Sequence, residues 1–198
     1  MADVNIYVGL VHYPVYNKQQ EVVTTSITNM DVHDIARTCM TFGVRNYLII
    51  NPLASQRDLY QKIISFWQSE IGRKYQSDRA VALERINFFD TLTEAKEFIK
   101  NQEGLEPIII TTTAKERRGQ IGLDAYPSIL KTQRPLFVIF GTGYGLADEI
   151  HQAADYTLQP ISGTGEYNHL SVRSAVAIML DRMLPKNKGG KDGFSSSS

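Results

Sequence analysis

Short apolar runs recur along the chain at 5–11 (NIYVGLV), 47–50 (YLII), 86–89 (INFF), 107–111 (PIIIT) and 136–140 (LFVIF), with amphipathic stretches between them. The longer runs are apolar throughout, without the alternation of a half-exposed sheet, so both of their faces must be covered. Strands of that kind, joined by helical crossovers, form a parallel sheet between two layers of helices. The expected fold class is therefore α/β, with the 5–11 run as the central strand.

Helices fill the intervals. Asn29 or Asp31 is placed to cap the first, Ile35, Cys39 and Phe42 give it an apolar side, and Gly43 is placed to end it. From 55 to 71, Leu59, Ile63, Phe66 and Trp67 recur at helical intervals, followed by a basic turn at 72–78 and a short helical segment to Arg85. Further helices are expected at 92–100, capped by Thr93, at 125–132 and at 147–153.

The stretch from Tyr156 to Leu184 is organised differently. Tyr156, Thr157 and Leu158 read as a short buried strand, and Pro160 to Glu166 as a Gly/Ser loop. The helix that starts near His169 has Val172, Ala175, Val176, Met179 and Met183 on one face, and Ile178, Leu180 and Leu184 widen that face. Its only charges are Arg173, Asp181 and Arg182, so it should be buried on more than one side, in the core or in a subunit interface.

Two glycine-bearing loops follow late strands, Gly141-Thr142-Gly143-Tyr144-Gly145 and 160–166. Ligands of open α/β sheets bind beyond the carboxyl ends of strands, where both loops would lie, so one ligand held between them is expected. A valine at Gly141 should stand against it. The first loop is no dinucleotide fingerprint, which follows a first strand, and no Walker lysine accompanies it.

Charge and cysteine content bound the partners. Lys+Arg and Asp+Glu number 21 each in 198 residues, so any polyanion contact must use a local patch such as Lys115, Arg117 and Arg118. One cysteine, Cys39, and four scattered histidines offer no metal-ligand spacing and no internal disulfide, so no metal is expected. With no signal pattern and no long uncharged apolar run, no membrane association is expected, and the expected location is cytoplasmic. One domain over 1–185 is expected, followed by a mobile tail over 186–198, whose composition buries too little surface to order itself.

Three motifs carry a family resemblance. The run NMDVHDIARTCMTFGVRNYLIINP from Asn29 resembles the first motif of the SPOUT RNA methyltransferases, with Arg37-Thr38, Phe42-Gly43 and the closing Asn51-Pro52 in place. FGTGYGL resembles their second motif, and QPISGTGEYNHLSVRSAVAIML their third. The nearest likeness is to a bacterial stand-alone branch carrying YNHLSVRSA.

The resemblance implies an S-adenosylmethionine-dependent RNA methyltransferase acting on tRNA or rRNA. It implies a C-terminal trefoil knot, a rare exception to unthreaded connections, and a homodimer packed through the knot helices. Carried over, Thr112, Thr113, Gly141, Gly143, Leu158, Ile161, Ser162 and Leu170 would contact S-adenosylmethionine. Arg37 would engage the acceptor and its phosphate, and Asp31, Tyr167 and His169 would be candidates for handling the proton.

The chain departs from the ribose 2′-O-methylating members at three places. Asp31 stands where they have asparagine, Thr142 and Gly143 follow Gly141 where they have a glutamate, and Tyr167-Asn168-His169 replaces Ser-Leu-Asn. The acceptor is therefore left open between a ribose 2′-hydroxyl and a base nitrogen. A knotted protein that binds S-adenosylmethionine or RNA without catalysis, and a protein methyltransferase, are the alternatives.

Overall fold

A computed structural model describes residues 4–165 and 167–184, so the expected tail lies outside the described residues. Six strands form one sheet, β1 (Ile6–Val11), β4 (Asn46–Ile50), β5 (Ile86–Phe89), β6 (Ile108–Thr111), β7 (Leu136–Gly141) and β8 (Tyr156–Thr157). Their order is β5-β4-β1-β7-β6-β8, and every neighbouring pair is parallel. The apolar runs sit where two-sided burial requires. Residues of β1 and β7 contribute to two separate cores, one on each face of the sheet.

One face carries α1 (Asn29–Thr41), α2 (Ala54–Gln68), α4 (Ser77–Leu83), α6 (Tyr126–Leu130) and α8 (Val172–Met183). The other carries α5 (Leu92–Glu103) and α7 (Asp148–Gln152), which bury Ala95, Ile99 and Ile150. The chain therefore changes face between α7 and α8. A small antiparallel ribbon, β2 (Val15–Tyr16) and β3 (Val22–Val23), projects from the crossover after β1.

Several local expectations need correction. The residues read as a basic turn at 72–78 begin inside a helix, α3 (Glu70–Tyr75), because the Ser69 hydroxyl accepts from the Gly72 N–H and restarts the helix. The caps of α1 and α5 are Thr28, ahead of both Asn29 and Asp31, and Thr91, two positions before Thr93; their side chains accept from the N–H groups of Asp31 and Glu94. Tyr156 is exposed because β8 is an edge strand, and of that run only Leu158 is buried.

The last helix is less buried than its sequence suggests. Val176, Met179, Leu180 and Met183 are inside, while Val172, Ala175, Ala177 and Ile178 are half-buried.

Candidate active site

The carboxyl ends of the strands open into a cavity of about 820 Å³, within the range of small-molecule sites. Four loops build it, each leaving a different strand. Thr25, Ser26, Thr28 and Asp31 follow β1; Thr112, Thr113, Ala114 and Lys115 follow β6. The glycine loop from Phe140 to Gly145 ends β7, and Ile161 and the segment from Asn168 to Arg173 follow β8.

The glycine loop is shaped by its own contacts. Gly143 has φ +58°, and a Cβ there would lie 2.8 Å from the Tyr16 carbonyl oxygen, because the β2–β3 ribbon packs directly on the loop. Tyr16 fixes that contact by accepting from the Tyr144 N–H at 2.8 Å and donating its own N–H to Gly145. The expectation for Gly141 is corrected here. A Cβ at Gly141 would meet the Leu146 backbone nitrogen and side chain at 2.8 Å, so valine there would distort the loop before it reached any ligand.

Beneath the loop runs a chain of hydrogen bonds that no local sequence pattern foretells. Thr142 donates its hydroxyl to the Val11 carbonyl at 3.1 Å, Thr25 and Thr142 share a short hydroxyl bond, and His12 Nδ1 lies 2.9 Å from Thr25 Oγ1. Each threonine hydroxyl can donate once and accept, so either imidazole tautomer of His12 closes this chain. His12 is fully buried, burial pushes its imidazole down to about 4, and its Nε2 has no protein partner among the described residues. It is a neutral strut.

The predicted cofactor residues divide. Thr112, Thr113, Gly141, Gly143, Ile161 and Leu170 line the cavity. Leu158 lies below it, buried, its N–H bonded to the Thr111 carbonyl, and Ser162 is exposed beyond the lining. Thr112 donates its hydroxyl to the Ile139 carbonyl, so its side chain ties the end of β6 to β7.

Of the predicted catalytic residues, Asp31 and His169 line the cavity. Tyr167 is exposed outside it and meets the His169 ring edge-on at 5.3 Å. Arg37 is brought to neither group. It is exposed on α1 and lines a shallow depression with Asp34, Thr38, Thr41, Phe42 and Ala177, because six helical residues carry it well over a turn away from Asp31.

Arg173, read from sequence only as one of three charges on a buried helix, enters the cavity wall and bonds Asp31. Of the basic loop, Lys115 lines the cavity, Arg117 is paired with Asp148 at 2.6 Å, and Arg118 is exposed. Among the described residues no cluster of three or more His, Cys, Asp or Glu is placed to hold a metal, and no helix is long and apolar enough to cross a membrane.

The lining suits S-adenosylmethionine. Phe140, Ile161, Leu170, Val172 and Met179 offer apolar surface for adenine, and the glycine loop exposes backbone.

Comparisons with known proteins agree with this fit. Residues 5–185 match the model of a family described as SAM-dependent RNA methyltransferase. An uncharacterized protein of Aquifex aeolicus is 36% identical over 189 residues, covering 95% of this chain and 92% of that one. A tRNA (guanine-N(1)-)-methyltransferase of Oleidesulfovibrio alaskensis is 39% identical over 180 residues, covering 91% of this chain; the chain spans only 42% of that protein's length.

Among solved structures, the AdoMet-bound rRNA methyltransferase of Sinorhizobium meliloti superposes with a TM-score of 0.56 at 16% identity, covering 90% of this chain and 55% of that one, a likeness of fold. The chain belongs to the family of SAM-dependent RNA methyltransferases, and S-adenosylmethionine is its cofactor.

Proposed function

We propose that the chain methylates a nucleotide of tRNA or rRNA presented at the mouth of this cavity. The observation that carries the reading is the convergence of four loops, three of them bearing the family motifs, on one cavity that combines apolar walls, exposed backbone and a carboxylate. S-adenosylmethionine, when bound, supplies an electrophilic methyl group. The protein's part is then to hold, align and deprotonate.

Thr112, Thr113, Gly141, Gly143, Ile161 and Leu170 are assigned to holding the cofactor, with Leu158 supporting them from below and Ser162 at the loop's outer side. His169 and Tyr167 are assigned to the side from which RNA approaches, as further candidates for the proton. Lys115 and the exposed Arg37 and Arg118 are assigned to RNA phosphates, a role that orients the substrate without reading its sequence.

The trefoil knot and the homodimer belong to the same proposal. The knot is supported by the path of the chain, which leaves β7 between β1 and β6, pairs β8 outside β6, and returns on the opposite face as α8. The dimer is supported by the half-buried apolar residues of α8. A stand-alone form is supported by the Aquifex relative, matched over nearly its whole length. The name of the Oleidesulfovibrio relative describes a protein more than twice as long as the matched part, so guanine N1 is one acceptor among several.

The test is to incubate the purified protein with methyl-tritiated S-adenosylmethionine and RNA from a strain lacking its gene, then treat with nuclease or protease. Label released by nuclease alone supports the proposal. Label released only by protease supports a protein methyltransferase instead.

A further inference from the structure

Asp31 is the one acid in the cavity lining among the described residues. It is 7% exposed, and both carboxylate oxygens are engaged: Oδ1 accepts from Arg173 Nη1 at 2.9 Å and Oδ2 from the Thr28 hydroxyl at 2.6 Å. Thr28 also accepts from the Asp31 N–H at 3.0 Å, a reciprocal cap that fixes the residue in the first turn of α1. Arg173 is fixed in turn by a second contact, Nε to Asp34 Oδ2 at 3.4 Å. The three charges sum to −1.

This arrangement differs from an ordinary surface ion pair. Its partners come from the first and last motifs, 142 residues apart, and both line the cavity. Each carboxylate oxygen keeps a lone-pair position beyond the bond already made. An ionised carboxylate only accepts, so whatever it meets in the cavity must present a hydrogen.

We propose that Asp31, positioned by Arg173 and Thr28, takes the proton of the RNA acceptor, and that the acceptor atom is consequently an O–H or N–H group, not a bare ring nitrogen. The inference rests on the RNA methyltransferase reading. In the balance of the transfer, the acceptor's electron pair forms the new bond to the methyl carbon while the carbon–sulfur pair leaves with sulfur. The acceptor's hydrogen passes to Asp31 and then to water. A bare ring nitrogen, such as N7 of guanine, has no hydrogen to lose and would leave this carboxylate without a task.

Arg173 acts through Asp31 and is a positioning residue. Its guanidinium meets the two carboxylates through different nitrogens of one rigid plane, Nη1 and Nε, a fixed geometry that a lysine ammonium lacks.

The test uses the full chain. Asp31→Asn keeps the shape and removes the base: calorimetry should show S-adenosylmethionine affinity within about threefold of wild type, while single-turnover methyl transfer falls about a hundredfold or more. Arg173→Met should lower kcat about tenfold with little change in KM for RNA, and Arg173→Lys should recover part of that loss. A purely structural role would appear in the melting temperature and not in kcat.

Nucleoside mass spectrometry of the product should show the methyl on a ribose oxygen, an imino nitrogen or an exocyclic amine. Methyl on N7 of guanosine, N1 of adenosine or N3 of cytidine overturns the proposal, as does a wild-type rate for Asp31→Asn. Loss of cofactor affinity in Asp31→Asn also overturns it, since Asp31 would then be a cofactor ligand. Cofactor binding with no label in any RNA overturns the underlying function and this proposal with it; label in RNA at an unaffected rate overturns this proposal alone.

Discussion

The hydroxyls of Thr25 and Thr142, 117 residues apart in sequence, share a hydrogen bond that joins the crossover after β1 to the glycine loop after β7. Through it the loop is tied to buried His12 on one side and to the Val11 carbonyl on the other. Thr142→Val keeps the volume and removes that junction. Loss of its two bonds, to Thr25 and to the Val11 carbonyl, at about 1 kcal/mol each, should weaken S-adenosylmethionine binding roughly fivefold or more with native circular dichroism. Affinity equal to wild type by calorimetry would show that the loop needs no such anchor.

His12 sets an acid limit. Its imidazole titrates near 6.5 when unfolded and is pushed down to about 4 in the fold, chiefly by burial, so between those values the unfolded chain binds the extra proton. The contribution is intact above about pH 6.5 and is lost progressively as pH falls towards 4, a swing of about 3 kcal/mol. His151, half-buried and bonded to the Thr111 hydroxyl, is lowered to about 4 by burial and adds in the same direction. Urea unfolding from pH 7 to 4.5 should show stability falling, with a shallower slope in His12→Asn. An unchanged slope in that variant would remove His12 from the account.

Gly143→Ala places a Cβ 2.8 Å from the Tyr16 carbonyl oxygen at a left-handed φ. The strain should cost about 1–3 kcal/mol, read as a lower melting temperature, and should weaken cofactor binding because the loop must shift. Gly119→Ala, also left-handed but open, is the control: a smaller loss of stability and no change in affinity.

How much of this was legible in the sequence depends on distance along the chain. The strands showed because two-sided burial makes each a local apolar run, and most helices showed because their periodicity is local. The β2–β3 ribbon was missed because two-residue strands carry no period, and α3 because Ser69 restarts a helix where Gly72 and the charges beyond it suggest a turn. The place of the cavity, beyond the carboxyl ends of the strands, was legible through the glycine loop after β7. The Arg173–Asp31 and Thr25–Thr142 bonds were not, since each is a meeting of polar side chains from distant parts of the chain that no local pattern encodes.

Arg37 offers a contrast with the cavity residues. Exposed on α1, it should act on RNA by charge, so Arg37→Ala should leave S-adenosylmethionine affinity unchanged and weaken RNA binding across salt concentrations, with the log–log salt slope reduced by about 1. An unchanged slope would make it a solvated surface charge.

If α8 forms a dimer interface, light scattering at low micromolar concentration should give twice 22.3 kDa, and Ile178→Glu should halve the mass while keeping the fold. A wild-type protein that scatters as 22.3 kDa would contradict the dimer.

The most direct measurement of the central claim is nucleoside mass spectrometry of RNA from a strain lacking the gene, after incubation with the purified protein and S-adenosylmethionine carrying a trideuterated methyl group. The account predicts one nucleoside that gains the labelled methyl, in an amount approaching one per target RNA, and a rate of gain lower by about a hundredfold or more with Asp31→Asn. Cofactor bound in calorimetry, but no labelled nucleoside in tRNA or rRNA, would contradict it.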